Sequence, residues 1–202
     1  MVEACFAQSD RNFEIIIADD GSTANTRECI EALKARSPVA LQHVWQPDDG
    51  FRAAMARNRG TLAARGEYIV FLDGDCVPQR DFIAQHRKLA KRGFLVSGSR
   101  VLLSAELTAR ILSEHIDLLR PMAPCSSWAT ACAAMSTRCC RCWCAGRTWG
   151  AKAQRFTWRR IKSCNLGVWR SDLDMVDGFD ESFLGWGHED SDLVVRLFNA
   201  SA

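Results

Sequence analysis

The sequence predicts an α/β domain built on a mostly parallel sheet with helices on both faces. Short aliphatic or β-branched runs alternate with helix-like segments through short connections, as expected when helical crossovers join the strands. Two of these runs stop at carboxylates, in Asp19-Asp20-Gly21-Ser22 and Asp73-Gly74-Asp75, and such sheets bind ligands beyond the carboxyl ends of their strands. Apolar residues make up 48% of the 202 residues and charged ones 25%, a balance that suits one buried core and argues against wholesale disorder.

Val2, Cys5 and Phe6 suit the buried face of a short opening helix. Phe13 to Ala18 (FEIIIA) is an apolar run that ends at a turn signal, and reads as a buried strand. Asn25 to Arg36 reads as a helix, with Asn25 as N-cap and Glu28 three residues on. Leu41 to Trp45 is a second strand, and Pro47-Asp48-Asp49-Gly50 has turn chemistry. An Ala-rich helix follows from about Phe51 to Ala64, stopped by Gly66. Tyr68 to Leu72 is the third strand, Asp81 caps a helix to about Arg92, and Phe94 to Leu103 reads as a further strand. Near the end, Leu193, Val194, Leu197 and Phe198 repeat at helical spacing, which places Glu189, Asp190 and Asp192 in a first turn where the helix dipole favours acids.

The net charge of +2 is too near zero to indicate nucleic acid or an anionic membrane surface. No apolar run reaches the roughly 18 residues of a spanning helix. The first 30 residues carry Glu3, Asp10, Glu14, Asp19 and Asp20 and no basic start followed by an apolar block, so no signal peptide is expected. A cytosolic globular chain is the expectation.

One stretch breaks the pattern. Six of the ten cysteines lie between Cys125 and Cys144, beside Trp128, Trp143 and Trp149. No acid occurs between Asp117 and Asp172, against ten Arg or Lys residues. Cys139-Cys140-Arg141-Cys142-Trp143-Cys144 lacks the paired CxxC spacing that converges thiolates on zinc, and a disulfide knot needs an oxidising compartment. A poorly structured natural insert and an unselected segment, such as a local frameshift over Met122 to about Gln154, stand beside the metal reading. The expected organisation is 1–120, an anomalous and poorly ordered 121–155, and 156–202.

The chemistry is sought among the carboxylates. Asp73 and Asp75, separated by a glycine just beyond a strand, can reach one divalent cation and the phosphates it carries, and hard oxygen ligands select Mg²⁺ or Mn²⁺. A carboxylate of the Asp19–Ser22 turn is placed to accept from the imide N–H of a base such as uracil, and a simple helix-capping turn remains open. The Gly185-Trp186-Gly187 turn presents an aromatic plate beside Glu189 and Asp190, and sugars stack their apolar faces on such plates. His43, His86 and His115 read as structural or surface residues, His188 as a flank of the acceptor site, and Trp45 and Trp169 as core.

In this order, DDGS, ARNRG (Ala56–Gly60), GEYIVFLDGDCVP (Gly66–Pro78) and VDGFDESFLGWGHEDSDL resemble inverting glycosyltransferases of family 2 with the GT-A fold. The last motif resembles the C-terminal signature of β-1,4-galactosyltransferases and the chondroitin-polymerase type. The resemblance spans about 3–120 and 156–200. It implies a UDP-sugar donor carrying a hexose or N-acetylhexosamine, a glycan or lipid-linked glycan acceptor, and Mn²⁺ or Mg²⁺. No nucleic acid or transmembrane segment is implied. The setting is bacterial surface-polysaccharide assembly, in the cytoplasm or peripherally at the cytoplasmic face of the inner membrane. By resemblance, Asp20, Arg57, Asn58, Arg59, Asp73, Asn165 and Gly167 serve the donor. Asp75 with Asp73 holds the metal, Trp186 and Glu189 contact the acceptor, and Asp190 is the catalytic base.

Three departures accompany the resemblance. The opening strand of the sheet is missing, the stretch from Met122 to about Gln154 matches nothing expected, and the chain stops at Ala202 before a downstream metal-ligating His. The competing expectation is an inactive, truncated remnant that binds at most a nucleotide or a partner.

Overall fold

A computed structural model describes residues 1–114 and 161–200. The cysteine-rich segment and His115 lie outside the described residues, and so do the readings made of them. The chain divides into two compact units, one of residues 1–98 with 154–202, the other of residues 99–153. In the second unit the described part is Ser99 to Glu114, which holds helix α5 (Ala105–Glu114).

In the first unit α1 (Val2–Phe6) precedes β1 (Ile15–Asp20), α2 (Ala24–Ala35), β2 (Leu41–Gln46) and α3 (Ala53–Ala63). Next come β3 (Tyr68–Leu72), α4 (Phe82–Leu89), β4 (Val96–Ser97), β5 (Asn165–Trp169), α6 (Arg170–Met175) and α7 (Glu189–Ala200). β1 and β2 pair in parallel, Ile15 opposite Leu41 through Asp20 opposite Gln46. That is the crossover pairing expected from the sequence. The second sheet has the order β3-β5-β4, and β5 runs antiparallel to both neighbours. Leu72 therefore pairs with Asn165, so the carboxyl end of β3 and the amino end of β5 share one rim.

Two apolar clusters hold the unit. Ile15, Ile30 and Leu41 are covered by Val2, Cys5, Phe6 and Phe13, which is why a five-residue opening helix persists. The larger cluster joins Ala54, Phe71, Leu166, Val168, Leu173, Phe179, Leu193 and Leu197. It pins α7 by the predicted apolar stripe and so fixes the acids at its start.

Several boundaries differ from the expectation. The residue capping α2 is Thr23 rather than Asn25. β4 has two residues instead of ten, because only Val96 and Ser97 face β5, at Gly167 and Leu166. Trp45 is 40% exposed rather than core. It stands on the outer flank of the β1–β2 pair, donates from Nε1 to the Ser22 carbonyl at 3.0 Å and lies under Arg27. Trp169 packs edge-on to Tyr68 and beneath the Arg92 guanidinium.

Candidate active site

The last two residues of β1, Asp19 and Asp20, are held by side-chain contacts. Asp20 accepts from Gln46 Nε2 at 2.6 Å and from the Arg52 amide at 2.7 Å, which joins the strand end to the start of α3. Asp19, buried, accepts from the Ser22 amide at 2.9 Å and lies 2.7 Å from His43 Nε2. Burial works against its charged form, but the Ser22 and His43 contacts outweigh it and hold the carboxyl below the ordinary range. Gly21 has φ +86°, and a Cβ there would stand 2.5 Å from the Asp48 Cα, so this turn admits glycine alone without rearrangement.

α3 lies over the rim and presents Arg57 to acids from two distant stretches of chain. Its guanidinium stands 3.6 Å from Asp73 Oδ1, 3.0 Å from Glu189 Oε1 and 3.8 Å from Asp190 Oδ1, above the Phe179 ring. Arg57 and Glu189 are largely sheltered, with side-chain exposures of 18% and 8%. Asp190 accepts from the Ser163 amide at 3.0 Å through Oδ2, and its buried Oδ1 accepts no hydrogen bond among the described residues. One carboxylate oxygen is thus anchored by a backbone amide, and the other faces the Arg57 guanidinium at 3.8 Å.

Asp73-Gly74-Asp75-Cys76 forms a turn closed by a 3.0 Å bond from the Cys76 amide to the Asp73 carbonyl. Ligand atoms of Asp73, Asp75 and Cys76 all lie within 4.8 Å of one another. This donor set fits a divalent cation: two carboxylates from one turn, one of them exposed. Burial, and then the charge of Asp75, push the Cys76 thiol up to about 11.

The other sequence-derived candidates take varied places. Asn58 spends its amide on the 177–181 loop, donating to the Phe179 carbonyl and Glu181 and accepting from the Phe179 amide at 2.8 Å. Gly178, at φ +69°, comes close enough that a Cβ would meet the Asn58 Oδ1 at 2.5 Å. Arg59 is exposed on α3. Asn165 sits at the rim with Oδ1 2.9 Å from His86 Nε2. Gly167 lies mid-strand, where a Cβ would collide with Tyr68 and His86. Trp186 is 87% exposed in the turn before α7, and that turn is fastened by the Gly185 amide to the Phe51 carbonyl at 3.0 Å. His188 ends the turn at φ 75°.

Sequence reasoning missed Ser163, whose role is a backbone amide and leaves no side-chain signal. It also missed the Asp19–His43 pair, which only strand pairing reveals, and Cys76 as a neighbour of the acids.

Residues 1–156 match the family model "Glycosyl transferase family 2", and residues 147–202 match "N-terminal domain of galactosyltransferase". Validoxylamine A glucosyltransferase of Streptomyces hygroscopicus subsp. jinggangensis is 27% identical over 190 residues, 92% of this chain and 44% of that protein. The chondroitin synthase of Pasteurella multocida is 24% identical over 203 residues, covering 96% and 21%. The chain spans less than half the length of these relatives. S. aureus TarS 1–349 superposes with a TM-score of 0.53 at 15% identity, over 98% of this chain and 50% of that one, which shows the shared GT-A architecture. By the family model that spans most of its length, the chain belongs to glycosyl transferase family 2.

Proposed function

We propose that the chain transfers a hexose or N-acetylhexosamine from a UDP-sugar to a glycan or lipid-linked glycan acceptor, with inversion and with Mn²⁺ or Mg²⁺ at Asp73 and Asp75. The observation that carries this reading is the shared Arg57. It stands 3.6 Å from Asp73 and 3.8 Å from Asp190, which supports reading the Asp73 turn and the acids of α7 as parts of one site. The relatives named for glucosyl transfer and chondroitin synthesis support a sugar donor of this class.

In this reading Asp190 is the base. The Ser163 amide fixes one oxygen, and Oδ1, beside the Arg57 guanidinium, takes the proton of the acceptor hydroxyl as the hydroxyl oxygen attacks the anomeric carbon, a contribution of roughly 10²–10⁴ in rate. The divalent ion supplies neutralisation of charge on the departing diphosphate. Asp20, at the end of β1, is the residue this reading assigns to the nucleotide base, and Arg59 and Asn165 are assigned to the donor. Arg57 and Asn58 shape the pocket through the acids and the 177–181 loop. Trp186 offers an exposed plate to the acceptor sugar, and Glu189 stands one residue before the base. Residues 1–120 supply the donor part and 156–202 the acceptor part. Among the described residues no helix is long and apolar enough to cross a membrane, and peripheral association at the cytoplasmic face remains part of the proposal.

The test is UDP binding by calorimetry with and without Mn²⁺, in the full chain and in Asp75→Asn. Metal-dependent binding that Asp75→Asn abolishes supports the reading. Binding that ignores both the metal and the substitution overturns it.

A further inference from the structure

The Asp73–Cys76 turn brings a sulfur to a site otherwise made of oxygen. A four-residue turn closed from its fourth amide to its first carbonyl folds the fourth side chain back toward the first, and here that bond is 3.0 Å long. Gly74 leaves the space above the turn open, with nothing within 4 Å of a Cβ built there. Cys76 Sγ reaches Asp75 Oδ1 at 3.5 Å, and Asp73 completes a set whose ligand atoms are all within 4.8 Å. Ligand atoms on one tetrahedral zinc ion stand about 3.5 Å apart, so a small side-chain adjustment suffices to close the set.

We propose that Cys76 is a third ligand of the Asp73–Asp75 cation site for thiophilic ions, so that Zn²⁺, Cd²⁺ or Co²⁺ is held by two carboxylates and a thiolate. The inference rests on the reading of Asp73 and Asp75 as metal ligands. Hard ions such as Mg²⁺ have little affinity for sulfur and take only the oxygens, whereas soft and borderline ions gain from it. The step balances simply: the S–H bond breaks, a sulfur–metal bond forms, and the proton passes to solvent. A third protein ligand leaves fewer coordination positions for a diphosphate. Thiophilic ions therefore compete with the ions that support donor binding, and the site responds to zinc as an inhibitor.

The experiment titrates Co²⁺ into the full chain with UDP present and records the near-ultraviolet thiolate-to-cobalt absorption. Parallel titrations use Cys76→Ser and Asp75→Asn, because the six cysteines of 125–144 contribute a background common to all three proteins. The expected result is a component of the band above that background in the parent, lost in both variants. Zn²⁺ affinity should fall at least about tenfold in Cys76→Ser, with Mn²⁺ affinity unchanged. Equal spectra and equal Zn²⁺ affinity in the parent and Cys76→Ser overturn the thiolate ligand while leaving the two-carboxylate site intact. Co²⁺ binding untouched by Asp75→Asn overturns the metal site itself.

Discussion

Arg57 Nη1 stands 3.0 Å from Glu189 Oε1, joining the middle of α3 to the first residue of α7. Glu189 is buried, so the pair is sheltered from water. Removing one member of a sheltered pair costs about 3–5 kcal/mol, because the other is left uncompensated. Arg57→Ala should lower the urea midpoint accordingly. Arg57→Lys should recover only part, since an ammonium cannot reach Asp73 and the α7 acids with one planar fork. Unchanged midpoints would remove Arg57 from the centre of the site.

Asp190→Asn should leave UDP binding and folding intact and lower transfer by roughly 10²–10⁴. The amide keeps an oxygen for the Ser163 N–H but cannot take a proton. Steady-state transfer measured beside calorimetric UDP binding separates the two effects, and full transfer by the variant would dismiss Asp190 as the base.

The Asp19 carboxyl is held below its usual range. A carboxylate whose folded value is lowered stabilises the fold above its unfolded value, and that contribution is lost as the pH drops through the folded value. The gap in stability between the parent and Asp19→Asn should therefore be widest at neutral pH and shrink below about pH 4. Urea midpoints across that window check it, and a gap constant with pH would contradict it.

Gly21→Ala and Gly50→Ala make a matched comparison. Both positions have positive φ, but a Cβ at Gly50 meets nothing within 4 Å, while one at Gly21 meets the Asp48 backbone at 2.5 Å. Gly50→Ala should cost about 1–2 kcal/mol from the dihedral alone. Gly21→Ala should cost more and should also weaken UDP binding by moving the Asp19–Ser22 turn. Thermal melts and nucleotide titrations of the two variants give the comparison, and equal penalties would show that the clash is relieved elsewhere.

Trp186→Ala should change stability by less than about 0.5 kcal/mol, given its exposure, and raise the KM for the acceptor without altering donor binding. A drop in melting temperature would instead make the ring structural.

Much of this was legible in the sequence, for identifiable reasons. The FEIIIA run, the Tyr68–Leu72 strand and the apolar stripe of α7 are all strongly patterned; the second has its expected bounds, the first forms a strand shifted two residues on, to Ile15–Asp20, and the stripe is buried at Leu193, Val194 and Leu197 with Phe198 exposed. What escaped was set by pairing across long separations. β5 is an apolar pentapeptide with a glycine, and its antiparallel direction follows from its partners, Tyr68–Leu72 and Val96–Ser97. Trp45 looks like core by composition, yet it is 40% exposed, with its ring nitrogen bonded to the Ser22 carbonyl and its face beside Arg27. The candidate acids were found because carboxylates at strand ends and helix starts announce themselves. The backbone amide of Ser163 did not, and the ARNRG motif pointed to Arg57 without showing that it reaches the acids of α7.

The Arg57 guanidinium has a consequence for how such chains diversify. It sits in the stretch matched by one family model, and two of its acidic partners sit in the stretch matched by the other. Replacing the second portion by one without acids at these positions would leave Arg57 with Asp73 alone, and replacing the first by one without the arginine would leave Glu189 and Asp190 without this cation.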